Sequence, residues 1–144
     1  MSNKPIVSTF VDIDIPFFDC DAMHIVWHGH YVKYLEIARC ALFDKIDFNY
    51  LQMHKSGYIW PIVDMRVKYV NSVSFGDKIT IQADLVEMES RLKINYLIID
   101  KKTQTKITKA YTIQVAITEA TRDMQFVTPK IFSHKVNQYL ANEA

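Results

Sequence analysis

Residues 30 to 46, HYVKYLEIARCALFDKI, constrain the fold most. Tyr31, Tyr34, Leu35, Ala38, Ala41 and Leu42 recur at helical spacing and make one broad apolar face. Ile37, Cys40 and Phe43 widen it, so little of the circumference is polar. A helix of this kind must be covered on several sides. Glu36 and Arg39, three residues apart, are placed to pair with each other.

The only material available to cover it is strand. Residues 6 to 15 alternate, with Val7, Thr9, Val11, Ile13 and Ile15 against Ser8, Phe10, Asp12 and Asp14, and Pro16 ends the run. Residues 62 to 70, 78 to 86, 91 to 99 and 105 to 118 alternate in the same way. The pattern puts Val63, Met65, Val67 and Tyr69 on one face of the first of these. It puts Ile107, Tyr111, Ile113, Val115 and Ile117 on one face of the last, opposite Lys106, Thr108, Thr112 and Gln114. The connections NSVSFGD, EMES and KKTQ are short, which favours antiparallel hairpins. Thr128 and Pro129 read as an N-cap and first helical residue, opening a short helix over 129–141. The expected architecture is α+β: a five-stranded antiparallel sheet curled around one long helix, with a short C-terminal helix, in a single domain over 1–144.

Composition excludes several classes of function. The chain has 144 residues, 49% hydrophobic and 23% charged, with net charge +1. Near neutrality gives no global field for nucleic acid or an anionic membrane. No apolar run approaches the roughly 18 residues needed to cross a bilayer. MSNKPIVST lacks the apolar core of a signal peptide, so a cytoplasmic setting is expected. Cys20 and Cys40 form no metal-like spacing, and Cys40 reads as a small buried apolar residue.

The stretch FFDCDAMHIVWHGHYVKYLEIAR holds Asp19, Asp21, His24, His28 and His30 just ahead of the long helix. Three chemistries fit. The aspartates can cap the turn or helix while the histidines stay exposed. His24, His28 and His30 with Asp21 can be imagined around a metal, although the spacing matches neither HExxH nor a zinc finger. Or a carboxylate beside helix-terminal amides can attack an activated carbonyl or direct water to it while the amides hold the oxyanion. No GxSxG is present.

DCDAMHIVWHGHYVKYLEIAR resembles the signature of hotdog-fold acyl-CoA thioesterases of the 4-hydroxybenzoyl-CoA thioesterase family. The matching residues are Asp19, Asp21, Val26, Trp27, Tyr31, Tyr34, Glu36, Ala38 and Arg39, and PIVDMRVKYVNSVSFGDKI resembles the family's second strand and the turn after it. The resemblance implies hydrolysis of an acyl-CoA thioester, with Asp21 as nucleophile or general base and Asp19 structural. It places His28 near the attacking water and gives the oxyanion to the backbone N–H groups of His24 and Ile25, entering the helix. Many members have glycine where this chain has His24.

The same resemblance makes Arg91 the candidate for the CoA phosphates and Trp27, Trp60 and Pro61 candidates to line the acyl site. Core packing is the alternative for the last two. It implies a homodimer or homotetramer with the site at the subunit interface, an acyl-CoA substrate, and neither cofactor nor metal. Membrane insertion and nucleic acid are not expected. A hotdog module that binds acyl-CoA or an acyl carrier without hydrolysis is the alternative.

Overall fold

In the computed structural model, which describes residues 4–143, strand β1 (Val7–Asp14) leads into a 3-10 turn and helix α1 (His30–Lys45). Residues 1–3 of MSNKPIVST lie outside the described residues. Helix α2 (Tyr50–Lys55) and strands β2 (Tyr58–Ile59), β3 (Ile62–Tyr69), β4 (Lys78–Glu87), β5 (Leu92–Asp100), β6 (Lys106–Gln114) and β7 (Ile117–Thr118) follow. Helix α3 (Lys130–Glu143) ends the chain. Five strands form one antiparallel sheet in the order β1-β4-β5-β6-β3, and β2 pairs with β7.

The sheet wraps α1 as the helix's pattern requires. Tyr31, Tyr34, Leu35, Ala38, Leu42 and Phe43 are buried, and they meet Ile79, Ile81, Ala83 and Leu85 of β4 and Leu92, Ile94, Tyr96 and Ile98 of β5 in one core. This is the hotdog arrangement. Arg39 pairs with Glu36 along the helix. Cys40, expected to be buried, is exposed, and so is Ile37, because α1 leaves its outer side open in the single chain.

Two strands depart from their alternation. In β3 a bulge between Ile62 and Asp64 sets Val63 outside the ladder, and Val63 is 57% exposed instead of facing the core. In β6 the inversion is larger. Ile98 pairs with Thr108 and Ile99 with Lys106, so Ile107 is the extra residue of a bulge. A one-residue slip moves every later side chain to the other face. Thr108, Ala110, Thr112 and Gln114 therefore stand beside Ile98, Tyr96, Ile94 and Leu92 on the helix side, where Thr108, Thr112 and Gln114 are buried. Lys109 and Tyr111 take the outer face.

The inward polar groups are mostly satisfied. The Tyr96 and Thr112 hydroxyls bond at 2.8 Å, and the Gln114 amide donates to the Trp60 carbonyl at 2.7 Å. Burial pushes the Tyr96 phenol up to about 12. Among the described residues Thr108 Oγ1 and Gln114 Oε1 have no partner.

Helix α2 was not evident from apolar spacing. It is held by a capping box, with Asn49 accepting from the Gln52 N–H at 3.0 Å and the Gln52 side chain accepting from the Asn49 N–H at 2.8 Å.

Candidate active site

Between β1 and α1 the chain makes a tight hairpin. The Asp21 N–H donates to the Ile25 carbonyl at 2.9 Å, and the His24 N–H returns to the Asp21 carbonyl at 2.9 Å. Cys20 and Val26 face each other across it. His24 has φ 66°, the left-handed conformation that closes a three-residue loop of this type. Glycine reaches that region without steric cost, which explains why glycine suits this position.

This geometry corrects one expectation. Helix α1 begins at His30, and His24 and Ile25 belong to the hairpin. The His24 N–H is already engaged and is not a free donor. Each amide of the segment needs a partner or solvent. Those of Asp21, Met23, His24, Val26 and Trp27 are bonded. Among the described residues those of Ala22, Ile25, His28 and Gly29 have no partner.

Asp21 is exposed, and its Oδ1 accepts from the Met23 N–H at 2.8 Å. That bond orients the carboxylate and leaves Oδ2 without a partner among the described residues. Asp21 and Ile25 line a cleft of about 260 Å³ with Val26, His28 and Tyr31, and its far wall is Tyr69 to Ser72, the end of β3 and the loop after it. Burial raises the Tyr31 phenol above its ordinary value. Tyr31, Tyr69, Asn71 and Ser72 were not read from the sequence as site residues. The stretch KYVNS carries no chemical motif and joins Asp21 only through the fold.

Asp19 plays a different part. It is buried, with Lys33 Nζ at 2.7 Å from Oδ1 and the Tyr34 hydroxyl donating to Oδ2 at 2.6 Å. Burial alone would push its pKa up, but these two hydrogen bonds outweigh burial and hold it below the usual carboxylate value. Its carbonyl accepts the Trp27 N–H at 3.1 Å, so Asp19 ties the hairpin to α1.

The remaining candidates scatter. The Trp27 ring packs against those of His28 and His30, with centroids 5.0 and 5.5 Å away. Among the described residues no three His, Cys, Asp or Glu side chains converge on a point that could hold a metal. Trp60 is in the core against Phe48 and Phe132, at 5.7 and 5.8 Å, and Pro61 precedes β3 at the end remote from Tyr69. Neither lines the cleft within one chain. Arg91 bonds to Glu87 at 3.0 Å in the turn between β4 and β5. It adjoins Leu92, which pairs with Gln114, whereas the cleft adjoins Thr108, the partner of Tyr69. At about 3.3 Å per residue these ends of β6 are about 20 Å apart.

Residues 15–135 match the family model of the thioesterase-like superfamily. The chain belongs to that superfamily. YneP of Bacillus subtilis (strain 168), provisionally named an acyl-CoA thioesterase, is 32% identical over 66 residues, which are 46% of this chain and 48% of that protein. The chain spans about half the length, or less, of the curated relatives it matches. Among solved structures, a DHNA-CoA thioesterase from Staphylococcus aureus superposes with a TM-score of 0.80 and 26% identity, over 94% of each chain. An aspartate-to-asparagine mutant of 4-hydroxybenzoyl-CoA thioesterase, complexed with 4-hydroxybenzoyl CoA, superposes with a TM-score of 0.78 and 20% identity. That match covers 90% of this chain and 98% of the other, and it establishes the shared hotdog fold. Among the described residues no helix is long and apolar enough to cross a membrane.

Proposed function

We propose that this chain is an acyl-CoA thioesterase whose catalytic carboxylate is Asp21. The observation that carries the reading is that Asp21 and His28, whose N–H is unpartnered among the described residues, line one cleft just ahead of α1 in a member of the thioesterase-like superfamily. The free Oδ2 of Asp21 either attacks the thioester carbon, forming an anhydride that water then opens, or takes a proton from an attacking water. In both routes the carbonyl oxygen gains negative charge. The His28 N–H, with the Ile25 N–H close by in the chain, supplies donors for it, in place of the pair His24 and Ile25. The C–S bond then breaks, and CoA leaves as a thiolate without needing a strong acid.

The proposed enzyme is a cytoplasmic homodimer or homotetramer, with no cofactor or metal. Strand β3 is an open edge, and an unpaired edge invites pairing with another copy. Antiparallel pairing of β3 with its copy would carry the second copy's Arg91 and Pro61 toward the first copy's cleft. That supports a role for Arg91 at the CoA phosphates which a single chain does not allow.

The test is thiol release from a panel of acyl-CoAs. Asp21→Asn keeps an acceptor for the Met23 N–H and so separates chemistry from turn structure. We expect kcat to fall at least about 100-fold with melting temperature and assembly unchanged. Full activity in Asp21→Asn would remove Asp21 from the mechanism. One observation favours a second reading: Asp21 caps its own turn, as a purely structural aspartate does. In that case the module binds acyl-CoA or an acyl carrier, and the same panel gives tight binding with no thiol released.

A further inference from the structure

The bulge in β6 decides which of its lysines share a face. Lys106 and Lys109 are three residues apart, and a regular strand would turn them to opposite sides. Ile107 is the extra residue between them, so Lys106 stands beside Ile99 and Lys109 beside Leu97, both on the outer face of the sheet. The Lys106 backbone is also held from outside the strand, where the Asn71 side-chain amide donates to its carbonyl at 2.8 Å. On the neighbouring strand β3, Lys68 is directly opposite Lys109, and Arg66 is opposite Tyr111. These four cations line a groove of about 640 Å³ together with Tyr111 and Asn95.

The acids of this face are engaged elsewhere. Asp84 accepts from the Ser8 hydroxyl at 2.6 Å and from the Gln82 amide at 3.1 Å, and Asp64 accepts from the Tyr111 hydroxyl at 3.3 Å. Asp12 and Asp14 pair with Lys101 and Lys78, and Glu87 pairs with Arg91. Among the described residues none of Arg66, Lys68, Lys106 and Lys109 has an acidic partner within 4.0 Å. Lys93, beside them, lies over the Tyr111 ring at 5.0 Å. Like charges opposed across two strands destabilise a sheet. The chain's own acids do not relieve this repulsion, and an anion from outside does. Pairing two copies edge to edge along β3 extends the sheet in its plane and leaves the groove open.

We propose that this groove is a binding site for a ligand that carries a di- or triphosphate. Lys68 and Lys109 are about 5 Å apart at their Cα atoms, and Arg66 is about 7 Å along β3 from Lys68. A patch this small receives one compact group with several negative charges. Carboxylates on a helix face recur only about every 5–6 Å, so an acidic helix sets few of them against it. A guanidinium takes two phosphate oxygens at once, and a lysine acts on phosphate as a point charge. The patch is two strands wide and not a stripe, and a net charge of +1 gives no field for a nucleic acid backbone. Tyr111 and Asn95 offer a ring and an amide to the rest of such a ligand. The site is on the face of the sheet away from α1 and stands independently of the thioesterase reading.

The experiment is titration calorimetry in magnesium-free buffer, at low and at high salt, with tripolyphosphate, ATP, AMP and a short glutamate peptide of matching charge. Wild type should bind tripolyphosphate and ATP at least about tenfold more tightly than AMP, with affinity falling as salt rises. ATP binding tighter than tripolyphosphate gives the nucleoside a place on Tyr111 and Asn95, and equal affinity assigns the site to the phosphates alone. Lys109→Glu should weaken both at least about tenfold. It should do so while fully folded in thermal melts, because it relieves the opposition to Lys68. Lys106→Gln, which removes a charge without reversing it, should weaken them in the same direction. Lys55 ends α2 and does not line the groove. Lys55→Glu changes net charge as much as Lys109→Glu and should leave affinity within about twofold of wild type. No binding of tripolyphosphate or ATP by wild type overturns the proposal, as does unchanged binding in Lys109→Glu. Equal weakening in Lys55→Glu and Lys109→Glu overturns it too, since net charge alone then accounts for binding. A glutamate peptide that binds as tightly as tripolyphosphate also overturns it, and makes the face a docking surface for an acidic protein.

Discussion

Two aspartates, separated by one residue, have opposite environments. Asp21 is exposed with one oxygen free, and Asp19 is buried between Lys33 and Tyr34. The sequence presents them as a pair, and only burial separates a candidate for chemistry from an anchor. Because Asp19 has a folded-state pKa below its ordinary 3.8, its contribution to stability is complete above that value. It is lost as pH falls through the lower folded value. Asp19→Asn should therefore cost about 1–3 kcal/mol at neutral pH. The gap between wild type and Asp19→Asn in thermal melting should narrow as pH drops below 3.8. A gap that is constant with pH would mean the lost stability owes nothing to the charge. His24 shows the limit of reading at this scale. Its left-handed φ of 66° belongs to a hairpin that no periodicity announces, and the hairpin engages the amide that the sequence pattern leaves free.

At the scale of elements, the periodic segments were legible. The helix over 30–46 and the alternation of β1, β4 and β5 follow from the residues, and the structure has them nearly where the pattern ends. Bulges were not legible, because a bulge adds one residue without altering composition. Ile107 and Val63 show this: each is a β-branched residue in an alternating run, and each sits where the ladder slips. The slip in β6 has an electrostatic consequence. Lys109 is turned to the outer face directly opposite Lys68 on β3, and neither has an acidic partner within 4.0 Å among the described residues. Like charges facing across two strands destabilise, and opposite charges contribute roughly 0.2–1 kcal/mol. Lys109→Glu should therefore raise stability by up to about 1 kcal/mol in denaturant melts. Lys109 and Tyr111 share a face in any register, and the bulge at Ile107 makes that face the outer one. No gain in Lys109→Glu would argue that the two ammonium groups splay apart into solvent.

At the scale of the whole molecule, the acyl-CoA site proposed above is unfinished within a single chain. The cleft is walled by the residues from Tyr69 to Ser72, at and just beyond one end of the open edge strand β3, while Arg91 lies at the sheet's other end and is tied to Glu87. An antiparallel pairing of β3 with its copy reverses these ends, so that each cleft meets the other subunit's Arg91 side. This predicts complementation. Homodimers of Asp21→Asn should be inactive for want of the carboxylate. Homodimers of Arg91→Glu should bind acyl-CoA poorly, with KM raised about tenfold or more for a reversed charge at the phosphates. In a mixed dimer one cleft has an intact Asp21 in its own chain and an intact Arg91 from the other. Co-refolding the two variants should therefore restore turnover at low acyl-CoA to about half that of wild type per heterodimer. If Arg91 instead acted within its own chain, every cleft in the mixture would lack one of the two groups, and mixing would restore nothing. The two geometries differ by one symmetry operation, which the sequence of a lone chain does not contain, and the mixing assay reads that operation directly.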